Sequence, residues 1–139
     1  MVNKGGFEVL DTLTVLEKTW IAPLPIRYDA ELPGYVNIIK MMGGHGTPNL
    51  AKAQASKDAT MAYFILKNHV KGSLSLHFNG AYHSDNFEGI LWYLKKDQPG
   101  LAYATITTVS QASNKKLSKE NKKKANYIIC VDEDMTTTY

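Results

Sequence analysis

The sequence predicts a mixed α/β fold, a partial open parallel sheet with helical crossovers that follows an arm rich in proline and glycine. After residue 48, helical and strand patterns alternate along the chain, and strand–helix–strand connections give parallel neighbours with right-handed crossovers. Before it, proline and glycine interrupt every longer pattern, in Ala22–Pro25, Leu32–Gly34 and Gly43–Gly46. We therefore divide the chain into an arm, residues 1–48, and an α/β portion, residues 49–139.

The arm contains two short helical patterns, Phe7–Trp20 and Tyr35–Met42, and neither has a long apolar stripe. A helix without such a stripe has little apolar surface to bury by itself. We therefore expect the arm to pack on another part of the protein, as a lid does, and not to fold alone.

The α/β portion begins with a helix, a strand and a second helix. The longest periodic segment, Asn49–Asn68, predicts a helix, and the alternation in Leu74–Phe78 predicts a strand. Asp85–Lys96 has apolar residues at helical spacing, and Asp85 with Glu88 has the pattern of a capping box at its start.

The C-terminal third contains two further strand patterns, Ala102–Val109 and Asn126–Val131, separated by a basic segment. This segment, Lys115–Lys124, holds six of the sixteen basic residues and has almost no apolar face, which predicts a solvated crossover helix. The alternative is a surface for an anionic partner. Because no aromatic residue lies between the lysines and no nucleic-acid motif occurs, we expect no nucleic-acid binding.

Composition excludes several classes of protein. A hydrophobic content of 44% with 21% charged residues is typical of a globular domain. The single Cys130 excludes an internal disulfide framework. No apolar run reaches about 18 residues, so no transmembrane helix is expected. Since no apolar signal core follows Met1, membrane attachment would require an anchor that this chain lacks.

The turn after the first predicted strand, Asn79–Asp85, is the predicted functional centre. In a parallel α/β sheet, ligands bind outside the carboxyl ends of the strands. Gly80 permits an unusual backbone angle or the close approach of a ligand. His83 directly precedes the next helix, whose free amide groups favour an anionic ligand. The alternative is an incidental turn histidine.

The long helix carries polar groups toward the same turn. Gln54 and Asp58 lie one turn apart on a face that Met61 and Ile65 continue as an apolar stripe. Because this helix runs back along the following strand, Asp58 and Gln54 are expected beside the turn; the alternative for Asp58 is a structural or solvent-facing carboxylate. His45, in the glycine-rich segment before the helix, is a further candidate as a ligand or proton carrier.

No pair of histidines has the spacing of a zinc site, and no Gly-x-Ser-x-Gly, P-loop or dinucleotide motif occurs. One histidine with scattered carboxylates does not complete a metal site. The residues alone therefore predict a polar cleft around His83 and Asp58.

These residues also carry a resemblance to a known family. Ala53–Ala62 resembles the Ala-Gln…Asp…Met-Ala helix of ChaN-like lipoproteins. Phe78–His83 is similar to their second Gly-x-x-His motif, which Tiki proteases and erythromycin esterases share. The resemblance spans nearly the whole chain, most securely Gly43 to Val131. The family's first motif, Gly-Glu-x-His, and its lipoprotein signal are absent, so the chain resembles the C-terminal part of the family.

The resemblance implies a protein of the cell envelope, often lipid-anchored and iron-regulated, that binds haem at a dimer interface through a tyrosine. It implies that His83, Gly80, Gln54 and Asp58, which match the family's motifs, belong to the haem site, and we add Tyr82 and His45 as further candidates in the same cleft. The resemblance does not locate the family's haem-binding tyrosine in this sequence. Tyr82, beside His83, is the first candidate and Tyr28 and Tyr35 are others; the alternative for each is an ordinary half-buried tyrosine.

Three functions remain open at this point. The first is a haem-binding protein of iron or haem acquisition. The second is a metal-dependent hydrolase of the Tiki and erythromycin-esterase type, in which His83 binds a divalent metal or acts as a base and Asp58 orients it. The third is an inactive fragment that forms a homo-oligomer through an exposed sheet edge.

Overall fold

The computed structural model describes residues 1–43 and 47–136 of the 139-residue chain. Within these ranges it is a mixed α/β structure, as predicted. The helices are α1 Val2–Gly5, α2 Val15–Lys18, α3 Pro33–Met41, α4 Pro48–Asn68 and α5 Ile90–Asp97, the 3₁₀ turns are Phe7–Leu10, Ala81–His83 and Asp85–Phe87, and the strands are β1 Ile106–Gln111 and β2 Tyr127–Asp132. None of the helices in this described part is long and apolar enough to cross a membrane.

Helix α4 is the centre of the structure, and the predicted helix Asn49–Asn68 is confirmed to within one residue. Pro48 occupies its first turn, where a proline's missing N–H costs nothing. No glycine or proline follows until the helix ends. A buried alanine stripe lets neighbouring segments approach α4 closely; its members are Ala51, Ala55, Ala59 and Ala62.

The predicted arm supplies much of the core that covers α4. Apolar side chains from residues 2–26 join those of α4 and α5 in one buried cluster; its members are Val2, Leu10, Ala22, Ile26, Ala59, Ala62, Ile90, Tyr93 and Leu94. The short helical pattern predicted over Phe7–Trp20 is present only in two separate pieces, the 3₁₀ turn Phe7–Leu10 and α2. Thr14 and Glu17 form a capping box there, which begins α2 as a separate helix after the 3₁₀ turn. The division of the chain at residue 48 stays a prediction.

Helix α3 packs on the first half of α4 through a second buried cluster of Tyr35, Ala51 and Ala55. Tyr28 lies between Phe7 and Tyr35, with ring centroids 5.5 Å and 5.6 Å away. These contacts hold the Tyr35 side chain against α4 at the level of the predicted site.

The helix expected over Asp85–Lys96 is interrupted. Asn86, Phe87 and Gly89 have positive φ angles, so α5 begins only at Ile90. The predicted capping box is wrong, because the Glu88 carboxylate accepts a hydrogen bond from the Gly34 amide at 2.6 Å instead. A tertiary contact to α3 therefore replaces the local cap and fixes the path of this turn.

Strands β1 and β2 form a parallel pair in which Ile106 lies opposite Tyr127 and Gln111 opposite Asp132. The parallel pairing agrees with the prediction, but the helical crossover expected over Lys115–Lys124 is wrong. This lysine-rich segment has no apolar face to pack, and turns replace the helix. The Gln111 side chain stabilises them by donating to the Lys116 carbonyl at 2.8 Å and accepting from the Ser118 amide at 3.1 Å.

The strand predicted over Leu74–Phe78 is also wrong as far as the described residues go. The segment lies outside the two-stranded sheet, and all of its side chains are exposed. Alternation of polar and apolar residues predicts a strand only when a partner strand is present to hydrogen-bond it. Of the three predicted strands, the second and third are therefore the ones that pair.

Candidate functional site

The structure brings together three of the predicted site residues, from α4 and from the 3₁₀ turn Ala81–His83. The Nδ1 atom of His83 lies 2.5 Å from Oδ1 of Asp58 and 2.8 Å from Nε2 of Gln54. Gln54 and Asp58 face the turn together because they are one helical turn apart. The predicted juxtaposition of these side chains is thus present, although the strand from which it was argued is not formed.

Both contacts are made by the same ring nitrogen, Nδ1 of His83. Which of the two is a hydrogen bond donated by the ring depends on whether Nδ1 carries the proton. A neutral histidine carries one N–H, and a hydrogen bond to a carboxylate is short and charge-assisted. The 2.5 Å contact therefore favours His83 donating from Nδ1 to Asp58. Nε2 is then the ring nitrogen with a free lone pair, available to a proton or a ligand. The Gln54 amide can donate to Nδ1 only in the tautomer that carries the proton on Nε2.

The Asp58 carboxylate is fully buried. Its second oxygen, Oδ2, accepts a hydrogen bond from the Tyr35 hydroxyl at 3.0 Å. Burial raises the pKa of the Asp58 carboxyl, and the bonds from His83 and Tyr35 oppose that rise. Burial beside Asp58 also raises the pKa of the Tyr35 phenol, so this tyrosine stays protonated and remains a donor.

The chain around the site contains a second tyrosine that sequence reasoning did not single out. The Tyr93 hydroxyl donates to the Arg27 carbonyl at 2.7 Å, and burial raises its pKa to about 12. Tyr35 is a candidate from the sequence only as a haem ligand. Its place in the buried network follows from the packing of α3 on α4, for which the sequence contains no local signal.

Gly89 packs directly against the Asp58–His83 pair, and sequence reasoning did not identify it as a site residue. Its φ is +54°, and a Cβ atom there would lie 2.4 Å from the His83 carbonyl oxygen and 3.3 Å from Asp58 Oδ2. Only glycine fits such a backbone angle and such an approach without strain. The outcome for Gly80 differs, because its φ of −66° is open to any residue. Of the two uses predicted for this glycine, the unusual backbone angle is therefore wrong, and the close approach of a ligand stays a prediction.

His83 also lines a largely apolar cavity of about 370 Å³ between α4 and the N-terminal segments. Leu10, Ile21 and Ile26 form its apolar wall, and Met61 of α4 completes it. The Asp58–His83 pair therefore combines a buried carboxylate with an imidazole at the edge of an apolar space. This arrangement can hold or move a proton at Nε2 of His83.

Tyr82 lies on a different cavity from its neighbour His83. Its hydroxyl is 2.7 Å from the Met41 sulfur, and 58% of the residue is exposed. It lines a cleft of about 570 Å³ between α3, the 81–89 segment and β1. The cations Lys40 and Lys124 line the same cleft. The predicted site is therefore divided into a His83 side and a Tyr82 side.

The cleft also contains an unsatisfied acceptor. Oδ1 of Asp85 is buried and has no hydrogen-bond partner among the residues described. The remaining predicted candidates are less informative, since Tyr28 packs in the core beside Tyr35 and His45 lies outside the described residues. No three His, Cys, Asp or Glu side chains within 1–43 and 47–136 are grouped so that they could hold a metal ion.

Residues 1–94 match the protein family described as "Haem-binding uptake, Tiki superfamily, ChaN". The match includes the arm, the Asp58–His83 pair and the Tyr82 cleft as far as α5, and it ends before the sheet. The resemblance was expected most securely from Gly43 to Val131, so the matched region lies nearer the N-terminus of the chain than expected. No curated protein and no solved structure matches the chain.

Proposed function

The chain belongs to the haem-binding uptake family ChaN of the Tiki superfamily, and we propose that it binds haem in iron or haem acquisition with Tyr82 as the iron ligand. The family description gives haem binding as the general function. The observation that carries the assignment to Tyr82 is its exposed phenol at the mouth of a cleft of about 570 Å³.

Among the three candidate tyrosines, the hydroxyl of Tyr82 is the one most available to bind iron. Its partner is the Met41 thioether, which is a weak acceptor, so releasing it costs little. By contrast, Tyr35 is buried and its hydroxyl donates to Asp58, and Tyr28 is packed between two rings. A phenolate is an established kind of axial ligand to haem iron. When bound, haem supplies a redox-active iron and two propionate groups.

The remaining residues of the cleft suit a haem group. Lys40 and Lys124 provide cations for propionate carboxylates, which charge-assisted hydrogen bonds would hold. Met41 is exposed beside Tyr82 and offers polarizable apolar contact to a porphyrin face. The mixture of apolar surface with a few polar groups is typical of cofactor sites.

In this proposal His83 is a positioning residue for the Tyr82 turn and not the iron ligand. Its Nδ1 is occupied by Asp58, and the ring lines the separate cavity of about 370 Å³. The hydrogen bond between His83 and Asp58 holds the Ala81–His83 turn on α4. Loss of this contact would loosen the backbone that carries Tyr82.

A hemin titration followed by visible absorption tests the proposal. We expect saturable binding of one haem per chain, and weaker binding with a shifted Soret band for Tyr82→Phe. Tyr127→Phe is the matched control, because Tyr127 is similarly exposed, at 65%, but lies on the sheet. Equal titrations for the wild type and Tyr82→Phe would refute the assignment.

A hydrolase is the second candidate, and the Asp58–His83 pair favours it. With its Nδ1 proton bonded to Asp58, His83 can take a proton from water at Nε2, and the carboxylate then stabilises the imidazolium. In the metal-dependent version His83 would bind a divalent metal. Metal-stimulated ester cleavage that is lost in His83→Ala while hemin binding persists would support this candidate. Absence of cleavage with any added divalent metal would exclude it.

Two further features are proposed from the family. We propose that the chain acts in the cell envelope and that it represents the C-terminal portion of a ChaN-like lipoprotein. We also propose that it forms a homo-oligomer, since the described surface exposes many large apolar side chains. An inactive fragment that only oligomerises is the alternative if neither haem nor metal binds.

A further inference from the structure

The segment Leu74–Phe78 presents the most exposed apolar row of the described surface. Leu74, Leu76 and Phe78 are 94%, 73% and 85% exposed, and their alternation places them on one side of an extended chain. Within the described residues, no hydrogen bond satisfies the backbone N–H groups of this segment. Its sequence is therefore that of a strand, and its surroundings supply neither a ladder nor a covering layer.

Among the residues described, strand β2 has an unpaired edge that suits such a segment. It pairs with β1 along one edge, and its other edge has no strand partner in the part of the chain that is described. None of its residues is buried. Tyr127 and Ile129 project from one face, with Ile106 of β1 exposed beside Tyr127. An edge of this kind is a ready template for another strand.

One antiparallel register brings the unpaired segment and the unpaired edge of β2 together with their apolar side chains on the same face. With Leu76 opposite Ile129, Phe78 falls opposite Tyr127, and Leu74 falls opposite Val131. All three apolar side chains of the segment then lie on the face that carries Tyr127 and Ile129. Cross-strand pairs of aromatic and aliphatic residues stabilise a sheet in this way. A shift by one residue would turn the apolar row to the other face.

The same direction also matches charge. The turn that carries Lys71 comes just before the segment, and the carboxylates of Asp132, Glu133 and Asp134 lie at the C-terminal end of β2. The antiparallel arrangement brings these two ends together, whereas a parallel arrangement would place Lys71 at the opposite end of β2. Attraction between opposite charges therefore favours the antiparallel direction.

We propose that Leu74–Phe78 of one copy pairs antiparallel with the free edge of β2 in a second copy, each copy donating its segment to the other. The inference rests on the proposed homo-oligomer and is independent of haem binding. A second copy is the occupant because one chain carries both the unpaired segment and the matching edge, so reciprocal exchange satisfies both sites at once.

A disulfide between copies tests the register directly. Ser75 is expected opposite the chain's single cysteine, Cys130. Opposed residues in antiparallel strands lie about 4.5–5.5 Å apart at Cα, within the range for a disulfide. The Ser75→Cys variant should therefore form a covalent dimer under mild oxidation, with the 75–130 link found by peptide mass mapping. Ser73→Cys is the matched control, because it lies diagonal to Cys130, at roughly 7–8 Å.

Light scattering without hemin supplies the second measurement. The wild type should be a dimer, Leu76→Lys should shift the mass to that of one chain, and Leu16→Lys, an exposed change on α2, should leave the dimer intact. A monomeric wild type would refute both self-association and the strand exchange. A dimer that survives Leu76→Lys without a 75–130 link would refute the strand exchange alone. A 75–130 link within one chain would refute it as well.

Discussion

Replacement of Asp58 by alanine is the change whose effect on the free energy of unfolding can best be estimated from the structure. The carboxylate is fully buried and accepts hydrogen bonds from His83 at 2.5 Å and from Tyr35 at 3.0 Å. Its removal leaves the Tyr35 hydroxyl buried without an acceptor and deletes a charge-assisted bond. Together these losses amount to about 3–5 kcal/mol. The free energy of unfolding of a domain is typically only about 5–15 kcal/mol.

Urea unfolding of the apo protein at 25 °C measures this loss. Asp97→Ala is the matched control, because Asp97 forms an exposed ion pair with Arg27 at 2.9 Å, and exposed pairs contribute about 0–1 kcal/mol. The urea concentration at the unfolding midpoint should fall far more for Asp58→Ala than for Asp97→Ala. The dependence of the unfolding free energy on urea concentration should stay the same in both variants. Equal shifts in the two variants would refute the claim that the buried hydrogen bonds of Asp58 stabilise the folded chain far more than an exposed ion pair does.

Three further predictions concern the same network. Asp58→Asn should gain stability relative to the wild type as the pH rises above the ordinary pKa of an aspartate, because the raised folded-state pKa of Asp58 stabilises the wild type at low pH and this contribution is lost as the carboxyl ionises. Unfolding curves from about pH 3 upward measure the difference in unfolding free energy, Asp58→Asn minus wild type. A difference that falls as the pH rises would contradict the stated direction. Tyr35→Phe should cost about 1 kcal/mol in urea unfolding and leave hemin binding intact, whereas lost hemin binding would place Tyr35 in the haem site. Gly89→Ala should lower the free energy of unfolding by roughly 1–3 kcal/mol, because of strain at its positive φ and contact with the His83 carbonyl. Gly100→Ala, where a Cβ atom has open space, should have little effect. Similar melting temperatures for the two variants would contradict the geometry.

The parts of the fold that local patterns control are predictable from the sequence. The long helix α4 follows from an uninterrupted periodic segment, and the strand pattern locates β2 to within one residue. The positions of Gln54 and Asp58 on one face follow from helical geometry alone. Their place beside His83 was argued from a strand over Leu74–Phe78 that is not formed, so helical spacing predicts the shared face of the two side chains but not the contact with His83.

The errors arise where tertiary contacts override a local pattern. Glu88 has the spacing of a capping residue, but it binds the Gly34 amide across the structure. The row Leu74–Phe78 has the pattern of a strand, but its hydrogen bonds require a partner that the sequence pattern cannot specify. Tyr82 and His83 are adjacent in sequence, yet successive side chains of a turn can enter different cavities, as they do here.

The most direct test of the proposed function is the absorption spectrum of the hemin complex in Tyr82→Phe and His83→Ala. If Tyr82 is the ligand, the phenolate-to-iron charge-transfer absorption should disappear in Tyr82→Phe and persist in His83→Ala. A spectrum that is unchanged in Tyr82→Phe but altered in His83→Ala would contradict the account and move the iron to the His83 side of the site.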